Sequence, residues 1–331
     1  MGIIRLLTLA LTMTGFGSAL FAQSGTASTK IIPVDYQGWT NSYFMSNGKV
    51  EAIVVPAIAR VMQFRMTGDD TGVFWSNSDL FGQHPGAKPE AKRDEWENFG
   101  GDKTWPAPQE DWPKMIGRGW PPPSAFDAKP MEARIEGDEL VMTSKPDADY
   151  GIEIVRRVAL KAEADVMTIT TEYRKVSGNP VKVAVWVITQ MRDPQQIFGL
   201  LPEKPLFPSG YKQLMGPAPK DIQVDGRLLS LTRDPKEEIN IGTDSSSLLW
   251  VGADYIVRID SDRTPGNYPS GGCSAYLYTN PDRAPYVELE TTGPVQTMKV
   301  GETMQRTNTY TIVHRGNQDA VTEAKIMLGV R

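Results

Sequence analysis

Histidine and cysteine are nearly absent from this chain of 331 residues, which contains two histidines and one cysteine. Cys273 has no partner for an intramolecular disulfide, so we expect the hydrophobic core to stabilise the fold. His84 and His314 are too few for a histidine-based zinc site or a Ser-His-Asp triad. There is also no HExxH, CxxC, GxSxG or P-loop motif. The sequence therefore predicts no metal site and no other cofactor, and we interpret both histidines as structural or solvated residues.

An excess of positive charge is absent as well. The chain has 35 Lys and Arg residues against 40 Asp and Glu residues, a net charge of −5, and no cluster of basic residues. This composition argues against a nucleic-acid partner. Beyond residue 22, no apolar run approaches the roughly 20 residues that a membrane helix requires. Nothing in the sequence indicates an oligomeric state.

The first 22 residues have the layout of a secretory signal peptide. Arg5 precedes an apolar run over residues 6–21, and Ala22 is followed by Gln-Ser-Gly. The run is interrupted by Thr, Ser and Gly, and a retained N-terminal anchor is the alternative interpretation. We expect cleavage after Ala22 and a periplasmic or secreted mature chain, residues 23–331, that forms one domain and leaves the membrane.

The rest of the chain consists mainly of short apolar or alternating runs separated by turns. These runs predict strands at residues 49–56, 60–66, 131–135, 139–143, 152–160, 166–174, 181–191, 222–224, 227–231, 248–252, 255–259, 274–279, 286–290 and 307–314. Helical character is confined to residues 319–328, and the Pro-rich section 81–130 is interpreted as one long loop. Many strands and almost no helix predict an all-β sandwich or barrel with one short C-terminal helix.

Two glutamates occupy alternate positions of the strand predicted at residues 286–290. Because side chains alternate along a strand, Glu288 and Glu290 share one face, with Cα atoms about 7 Å apart. Two close carboxylates in a cleft raise at least one pKa, which suits general acid or base catalysis. The alternative is a pair of ordinary glutamates on a solvated face.

Residues 181–192 have a similarly mixed face. Trp186, Gln190 and Arg192 share it with Lys182, while valines dominate the other face. A flat apolar ring beside directed hydrogen-bond donors is typical of a site for a polar ligand. The alternative is a half-exposed sheet face that the long loop covers.

The stretch NFGGDKTWPAPQEDWP, residues 98–113, combines aromatic, breaking and charged residues. Half of the eight tryptophans lie in or beside it, at Trp96, Trp105, Trp112 and Trp120. Rigid aromatic walls with polar groups between them suit a sugar ring. We therefore expect Trp105 to stack on a sugar, and Asp102 and Lys103 to contact its hydroxyls or a carboxylate. The alternative is that these tryptophans only pin the loop to the sheet.

VVPAIARV at residues 54–61, followed by Phe64, Gly68 and Phe74-Trp75, is similar to the opening pair of strands of the aldose 1-epimerase, or galactose mutarotase-like, superfamily. GGDKTWP at residues 100–106 is similar to the Gly-Gly…Trp-Pro loop of its sugar-phosphate mutarotase branch. VELE at residues 287–290 lies where the superfamily keeps its general-base glutamate. With WVITQ at residues 186–190, the chain most resembles a bacterial family of this superfamily, over roughly residues 34–312.

The resemblance implies a large antiparallel supersandwich and a sugar site in which Glu290 is the general base, with Glu288 beside it. It also implies a histidine general acid, but the strand where that histidine is expected has Thr189 and Gln190. An amide does not transfer a proton near neutral pH. A mutarotase reaction would therefore need a substitute acid, for which Lys103 and Glu288 are the candidates.

Two classes of function remain open. The first is an enzyme acting on a sugar or sugar acid with Glu290 as base, either an aldose epimerase or mutarotase, or a polysaccharide lyase. The second is a non-catalytic carbohydrate-binding protein that uses the same cleft. In both, the partner is a sugar or glycan, and the predicted binding residues are Asp102, Lys103, Trp105, Trp186, Gln190 and Arg192.

Overall fold

Two large antiparallel β-sheets make up most of the computed structural model, which describes residues 28–86 and 96–330. The prediction of an all-β sandwich is thereby confirmed. The predicted signal peptide, residues 1–22, lies outside the described residues.

The strands and helices are short and follow one another closely along the chain. The strands are β1 (Lys30–Tyr36), β2 (Trp39–Ser46), β3 (Val50–Val55), β4 (Arg60–Met66), β5 (Asp102–Ala107), β6 (Glu132–Glu136), β7 (Glu139–Thr143), β8 (Ile152–Leu160), β9 (Val166–Lys175), β10 (Val181–Arg192), β11 (Gln196–Leu200), β12 (Lys212–Met215), β13 (Gln223–Asp225), β14 (Leu228–Leu231), β15 (Ile239–Thr243), β16 (Ser247–Val251), β17 (Tyr255–Asp260), β18 (Ala275–Thr279), β19 (Tyr286–Thr292), β20 (Gln296–Met298) and β21 (Thr303–His314). The helices are α1 (Trp112–Ile116), α2 (Ser124–Asp127), α3 (Pro269–Gly272) and α4 (Ala320–Leu328).

The first sheet has eleven strands in the order β1-β2-β3-β4-β5-β10-β19-β18-β15-β12, and β20 also pairs with β10. The second sheet has ten strands in the order β13-β14-β11-β16-β17-β21-β9-β8-β7-β6. β10 is central to the first sheet, because its twelve residues pair with β5 on one side and with β19 and β20 on the other.

Alternating apolar side chains from both sheets form the main core. Val187 of β10 and Leu289 of β19 meet Ile169 of β9 and Ile312 of β21 in one buried cluster. All four are fully buried, as the period-2 pattern of their strands requires. The opposite face of β10 and β19 therefore points away from the second sheet.

The C-terminal helix α4 is confirmed near its predicted position. The Asp319 carboxylate accepts a hydrogen bond from the backbone N–H of Thr322 at 3.0 Å, which caps the first turn. Gly329 ends the helix in the left-handed conformation, with φ of 67°. Ala324 and Leu328 pack against Phe198 of the second sheet.

The interpretation of residues 81–130 as one long loop is wrong at its centre. β5 lies there, between β4 and β10, and all six of its residues are buried. The sequence did not predict this strand because it contains Pro106, and proline has no N–H to donate to the hydrogen-bond ladder of a central strand. The structure accommodates it because β4 pairs with β5 only through Val61 and Asp102, so Pro106 has a ladder partner, Val185, on one side only.

Two glycines guide the chain into β5. Gly100 and Gly101 have φ values of 91° and 70°, which other residues rarely adopt. The N–H of Gly101 donates to the carbonyl of Trp75 at 2.9 Å, and its carbonyl accepts from the N–H of Gln190 at 3.0 Å. The Gly-Gly pair therefore allows a close backbone approach beside β10.

Candidate functional site

Three neighbouring strands, β5, β10 and β19, bring most of the predicted site residues together. Ile188 of β10 pairs with Lys103 of β5 on one side and with Glu290 of β19 on the other. Paired residues of antiparallel strands point to the same face. Trp186 and Gln190, two positions either side of Ile188, share that face. We call this surface, which points away from the second sheet, the site face.

Glu288 and Glu290 both lie on the site face and are removed from solvent. Glu288 pairs with Gln190 and is 7% exposed, and Glu290 is 1% exposed. The alternative of two glutamates on a solvated face is therefore wrong. Two carboxyl groups buried at alternate positions of one strand disfavour simultaneous ionisation.

Two donors from neighbouring strands stabilise a negative charge on Glu288. Its Oε1 accepts hydrogen bonds from Lys103 Nζ at 3.2 Å and from Gln190 Nε2 at 2.8 Å. Lys103 is fully buried, and its ammonium lies 5.0 Å from the ring centroids of both Trp96 and Trp105. Burial lowers the pKa of Lys103, and the charge of Glu288 partly offsets this effect. The ammonium is therefore more ready than an exposed lysine to release a proton.

Glu290, in contrast to Lys103, retains its proton more readily than an exposed side chain of the same type. Burial raises its pKa well above the ordinary value, and the negative charge of Glu288 raises it further. Trp186 opposes this shift by donating a hydrogen bond from Nε1 to Glu290 Oε2 at 2.7 Å, and the charge of Lys103 also opposes it. A carboxyl group with a raised pKa is a stronger base once it is ionised.

The tryptophans around residues 98–113 form one cluster centred on Trp105. Its ring centroid lies 5.3 Å from that of Trp186, 5.5 Å from Trp96, and 5.7 Å from both Trp112 and Trp120. Trp105 faces the same side of the sheet as Glu290 but is only 4% exposed, whereas Trp186 is half-buried. Trp105 therefore supports Trp186, and Trp186 presents the aromatic surface that a ligand can reach.

Asp127, which the sequence did not identify, ties this cluster to the sheet. Its two carboxylate oxygens accept from Trp105 Nε1 at 2.8 Å and from Trp96 Nε1 at 3.0 Å. Arg60 of β4, fully buried, forms an ion pair with the same carboxylate at 2.9 Å. These contacts hold the tryptophans in fixed positions beside the site face.

Asp102 does not lie on the site face, in contrast to its predicted contact with a ligand. It precedes Lys103 in β5, so its side chain points to the opposite face, where it is fully buried between the sheets. Its carboxylate pairs with Arg156 and accepts from the hydroxyls of Thr189 at 2.7 Å and Tyr310 at 2.6 Å. Asp102 therefore links the two sheets and has no oxygen directed toward the carboxylates of β19.

Arg192 lies at the end of β10 on the site face, but it is separated from the two carboxylates. It pairs with Tyr286 of β19 and donates from Nη1 to the carbonyl of Gly72 at 3.2 Å. Trp75 packs against Tyr286 with ring centroids 4.6 Å apart. Arg192 is exposed, whereas Glu288, the next site-face residue of β19 after Tyr286, is buried.

A pocket of about 310 Å³ opens on the site face next to Glu290. Trp186 and Tyr276 are its aromatic walls, and Tyr276 is the cross-strand partner of Glu290. Glu110 and Asn240 contribute polar groups to the lining. Sequence reasoning missed Tyr276 and Asn240, although the alternation of β18 would have placed Tyr276 beside a β19 glutamate had the strand pairing been known.

Two buried oxygens on the site face have no hydrogen-bond partner among the described residues. Oδ1 of Asn240 belongs to the pocket lining, whereas Oε1 of Gln190, four residues beyond Trp186 along β10, does not. A buried acceptor without a donor is energetically unfavourable. The oxygen of Asn240 is therefore suited to accept a hydrogen bond from a hydroxyl group of a ligand in this pocket.

The described residues contain no group of three or more His, Cys, Asp or Glu side chains that could hold a metal ion. Both histidines are exposed, and His314 belongs to the second sheet, where its ring lies 4.9 Å from that of Tyr255. Within residues 28–86 and 96–330, no helix is long and apolar enough to cross a membrane.

No protein-family model matches the chain, and no curated protein matches it in sequence. Solved structures do match. A galactose mutarotase-like protein from Lactobacillus casei has a TM-score of 0.53 at 11% identity, covering 86% of this chain and all (100%) of that one.

Two structures named as putative aldose 1-epimerases also match. The one from Klebsiella pneumoniae has a TM-score of 0.55 at 12% identity, covering 91% and 87% of the two chains. The one from Escherichia coli K12 has a TM-score of 0.50 at 11% identity, covering 87% and 100%. The chain therefore has the galactose mutarotase-like fold, which the resemblance of its sequence implied.

Proposed function

We propose that the protein binds a sugar or sugar acid on the site face and converts it as an aldose epimerase or mutarotase, with Glu290 as the base. The observation that carries this proposal is a buried carboxyl group of raised pKa next to a pocket with two aromatic walls, Trp186 and Tyr276. Aromatic faces with a few directed polar groups are typical of sugar sites. The fold also supports sugar binding or epimerase activity.

Mutarotation requires one proton to leave the anomeric hydroxyl and one to reach the ring oxygen. Glu290 takes the proton from O1, the released electron pair forms the C1=O bond, and the C1–O5 bond breaks as O5 gains a proton. Rotation about C1–C2 and the reverse steps give the other anomer, so no proton is consumed overall. A base with a raised pKa is matched to this task near neutral pH.

The second proton comes from Lys103 through Glu288. Lys103 is fully buried and does not itself reach a ligand, but its ammonium donates to Glu288 Oε1. Transfer of that proton leaves both side chains neutral, and burial favours the neutral form of Lys103. Glu288, which is 7% exposed, then carries the acidic proton toward O5.

A non-catalytic carbohydrate-binding protein is the second candidate. Gln190 stands where the resemblance implies a histidine acid, and Glu290 is only 1% exposed. Trp186 and the unpaired oxygen of Asn240 would hold a sugar without any proton transfer. In that case Glu290 acts only as a hydrogen-bond partner.

Ligand-observed NMR with a panel of aldoses and uronic acids tests whether a sugar binds at all. We expect Trp186→Ala to weaken binding by about 1–3 kcal/mol, the contribution of a well-placed aromatic anchor. Trp120→Ala is the control, because Trp120 is exposed, does not line the pocket, and contacts Trp96, Trp105 and Trp112 rather than Trp186. The proposal fails if no sugar binds, or if Trp186→Ala binds as tightly as the unchanged protein.

We also propose that the protein is exported, because residues 1–22 have the layout of a signal peptide. N-terminal sequencing of the soluble protein recovered from cells tests this. The expected start is near Gln23, and an intact Met1 would contradict export by cleavage.

A further inference from the structure

A second pocket, of about 420 Å³, lies at the end of β10. We call it the rim pocket, and its lining residues include Asp69, Trp75, Arg192, Trp250, Asp254 and Tyr255. Arg192 follows Gln190 by two positions on the site face, a distance of about 7 Å along a strand. The rim pocket therefore begins one side chain beyond the buried carboxylates.

Three aromatic side chains give the rim pocket fixed walls. Trp75 is half-buried and packs against Tyr286, with ring centroids 4.6 Å apart. Tyr255 is half-buried, and its ring centroid lies 4.9 Å from that of His314. Trp250 is anchored by a hydrogen bond of 2.7 Å from its Nε1 to the carbonyl of Arg192. Aromatic rings held in this way present apolar surface with little entropy left to lose on binding.

The polar groups of the rim pocket are mainly acceptors. Oδ2 of Asp69 is buried and accepts no hydrogen bond from the described residues. Asp69 and Asp254 lie near the Tyr255 hydroxyl, whose pKa is raised by burial and then by these two charges. A third carboxylate, Asp193, is already paired with Arg233 at 2.6 Å.

This combination selects a class of ligand. Aromatic faces suit the C–H faces of a sugar ring, and carboxylate oxygens accept hydrogen bonds from its hydroxyls. The lining contains the three carboxylates of Asp69, Asp193 and Asp254 against the cation of Arg192, which disfavours an anionic ligand. The acidic side chains are not arranged as a metal site within the part of the chain that the structure describes. A neutral sugar is the ligand that fits.

The rim pocket and the pocket beside Glu290 lie toward opposite ends of β10 on the site face. Trp186 lines the pocket beside Glu290 and Arg192 lines the rim pocket, and these two residues are six positions, or about 20 Å, apart along the strand. Trp75, whose N–H donates to the carbonyl of Gln190 at 2.9 Å, lines the rim pocket and packs against Tyr286, which precedes Glu288 on the site face of β19.

We propose that the rim pocket is a second sugar subsite, and that the ligand is a neutral oligosaccharide several units long. One end lies beside Glu290 and another unit lies against Trp75 and Tyr255. This inference rests on the proposed function, because it extends the same sugar site along β10.

Calorimetric titration with neutral gluco-, galacto- and manno-oligosaccharides of increasing length, from one unit upward, tests the subsite. For the unchanged protein we expect affinity to rise about tenfold or more once the chain reaches the rim pocket, the scale of one good aromatic contact. Tyr255→Ala removes this gain and leaves the affinity for the monosaccharide unchanged. Tyr43→Ala, a half-buried tyrosine of β2 outside both pockets, keeps the gain. Asp69→Asn gives a second variant that keeps the size of the side chain.

The outcomes separate the two claims. Affinity that does not depend on chain length overturns the subsite while the sugar site beside Glu290 stands. A gain with length that both Tyr255→Ala and Asp69→Asn retain also overturns it. Failure of every sugar of every length to bind contradicts the proposed function itself, and the subsite with it.

Discussion

The indole N–H of Trp186 donates a hydrogen bond of 2.7 Å to Glu290 Oε2, so one side chain both borders the pocket and adjusts the carboxyl group behind it. This bond lowers the pKa of Glu290 against the larger, opposite effect of burial. Trp186→Phe keeps an aromatic ring but removes the donor. We expect the titration midpoint of Glu290 to move to still higher pH, which carboxyl carbon NMR measures.

A matched change shows whether the effect is specific. Trp105→Phe loses its hydrogen bond to Asp127 rather than to Glu290, so it should leave the Glu290 midpoint in place. An unchanged midpoint in Trp186→Phe would contradict the assigned contact.

The Lys103–Glu288 pair gives a second prediction. Glu288→Gln leaves the Lys103 ammonium fully buried without its anionic partner. We expect a loss of about 3 kcal/mol in the free energy of unfolding, as for other broken buried ion pairs. Urea unfolding measures this, and the double variant Glu288→Gln/Lys103→Met should recover much of the loss. If the double variant is less stable than the single one, the stranded charge is not the cause.

Replacing Glu290 should stabilise the fold at neutral pH, whereas replacing Glu288 should destabilise it. Its pKa is raised in the folded state, so the folded chain keeps a proton that the unfolded chain releases above about pH 4.3. The stability that Glu290 contributes therefore falls as pH rises from the unfolded value through the folded value. Glu290→Gln removes this dependence, because the amide does not ionise and still accepts from Trp186.

Thermal unfolding over a series of pH values tests this sign. Glu290→Gln should be more stable than the unchanged protein at neutral and higher pH, and the two should converge toward pH 4. A variant that is less stable at neutral pH would show that the ionised carboxylate is not a cost to the fold.

The Gly-Gly pair before β5 allows a prediction with a close control. Gly101 has φ of 70°, and a Cβ there would lie 2.6 Å from the carbonyl oxygen of Val61. Gly117 has φ of 72° with nothing within 4 Å. Gly117→Ala should cost about 1 kcal/mol for the left-handed conformation alone. Gly101→Ala should cost clearly more, because it adds a clash with backbone, and equal losses in urea unfolding would contradict this.

Strand alternation was enough to predict part of the site. Glu288 and Glu290 were placed on one face, and Trp186 and Gln190 on one face, because period 2 holds along any strand. The sequence could not show that these two faces are the same one. That follows from the pairing of Ile188 with Glu290, a contact between segments about a hundred residues apart.

The error at Asp102 has a local physical reason. Residues 98–113 contain prolines that normally exclude a central strand, and a loop allows adjacent side chains to point to one ligand. Once β5 is a strand, Asp102 and Lys103 must point to opposite faces. Asp127 and Asn240 were missed because their roles depend on contacts with distant strands, and no spacing signals them.

The measurement that tests the central claim most directly is the rate of anomer interconversion of a freshly dissolved aldose, followed by proton NMR. The sugar is one that the binding panel identifies, and the unchanged protein is compared with Glu290→Gln. With Glu290 as the base, the protein should accelerate interconversion above the buffer rate. Glu290→Gln should lose about 10²–10⁴-fold of that acceleration, the usual contribution of a general base, while it still binds the sugar. A protein that binds the sugar but leaves its anomers at the buffer rate, or a Glu290→Gln variant that is fully active, would contradict the account.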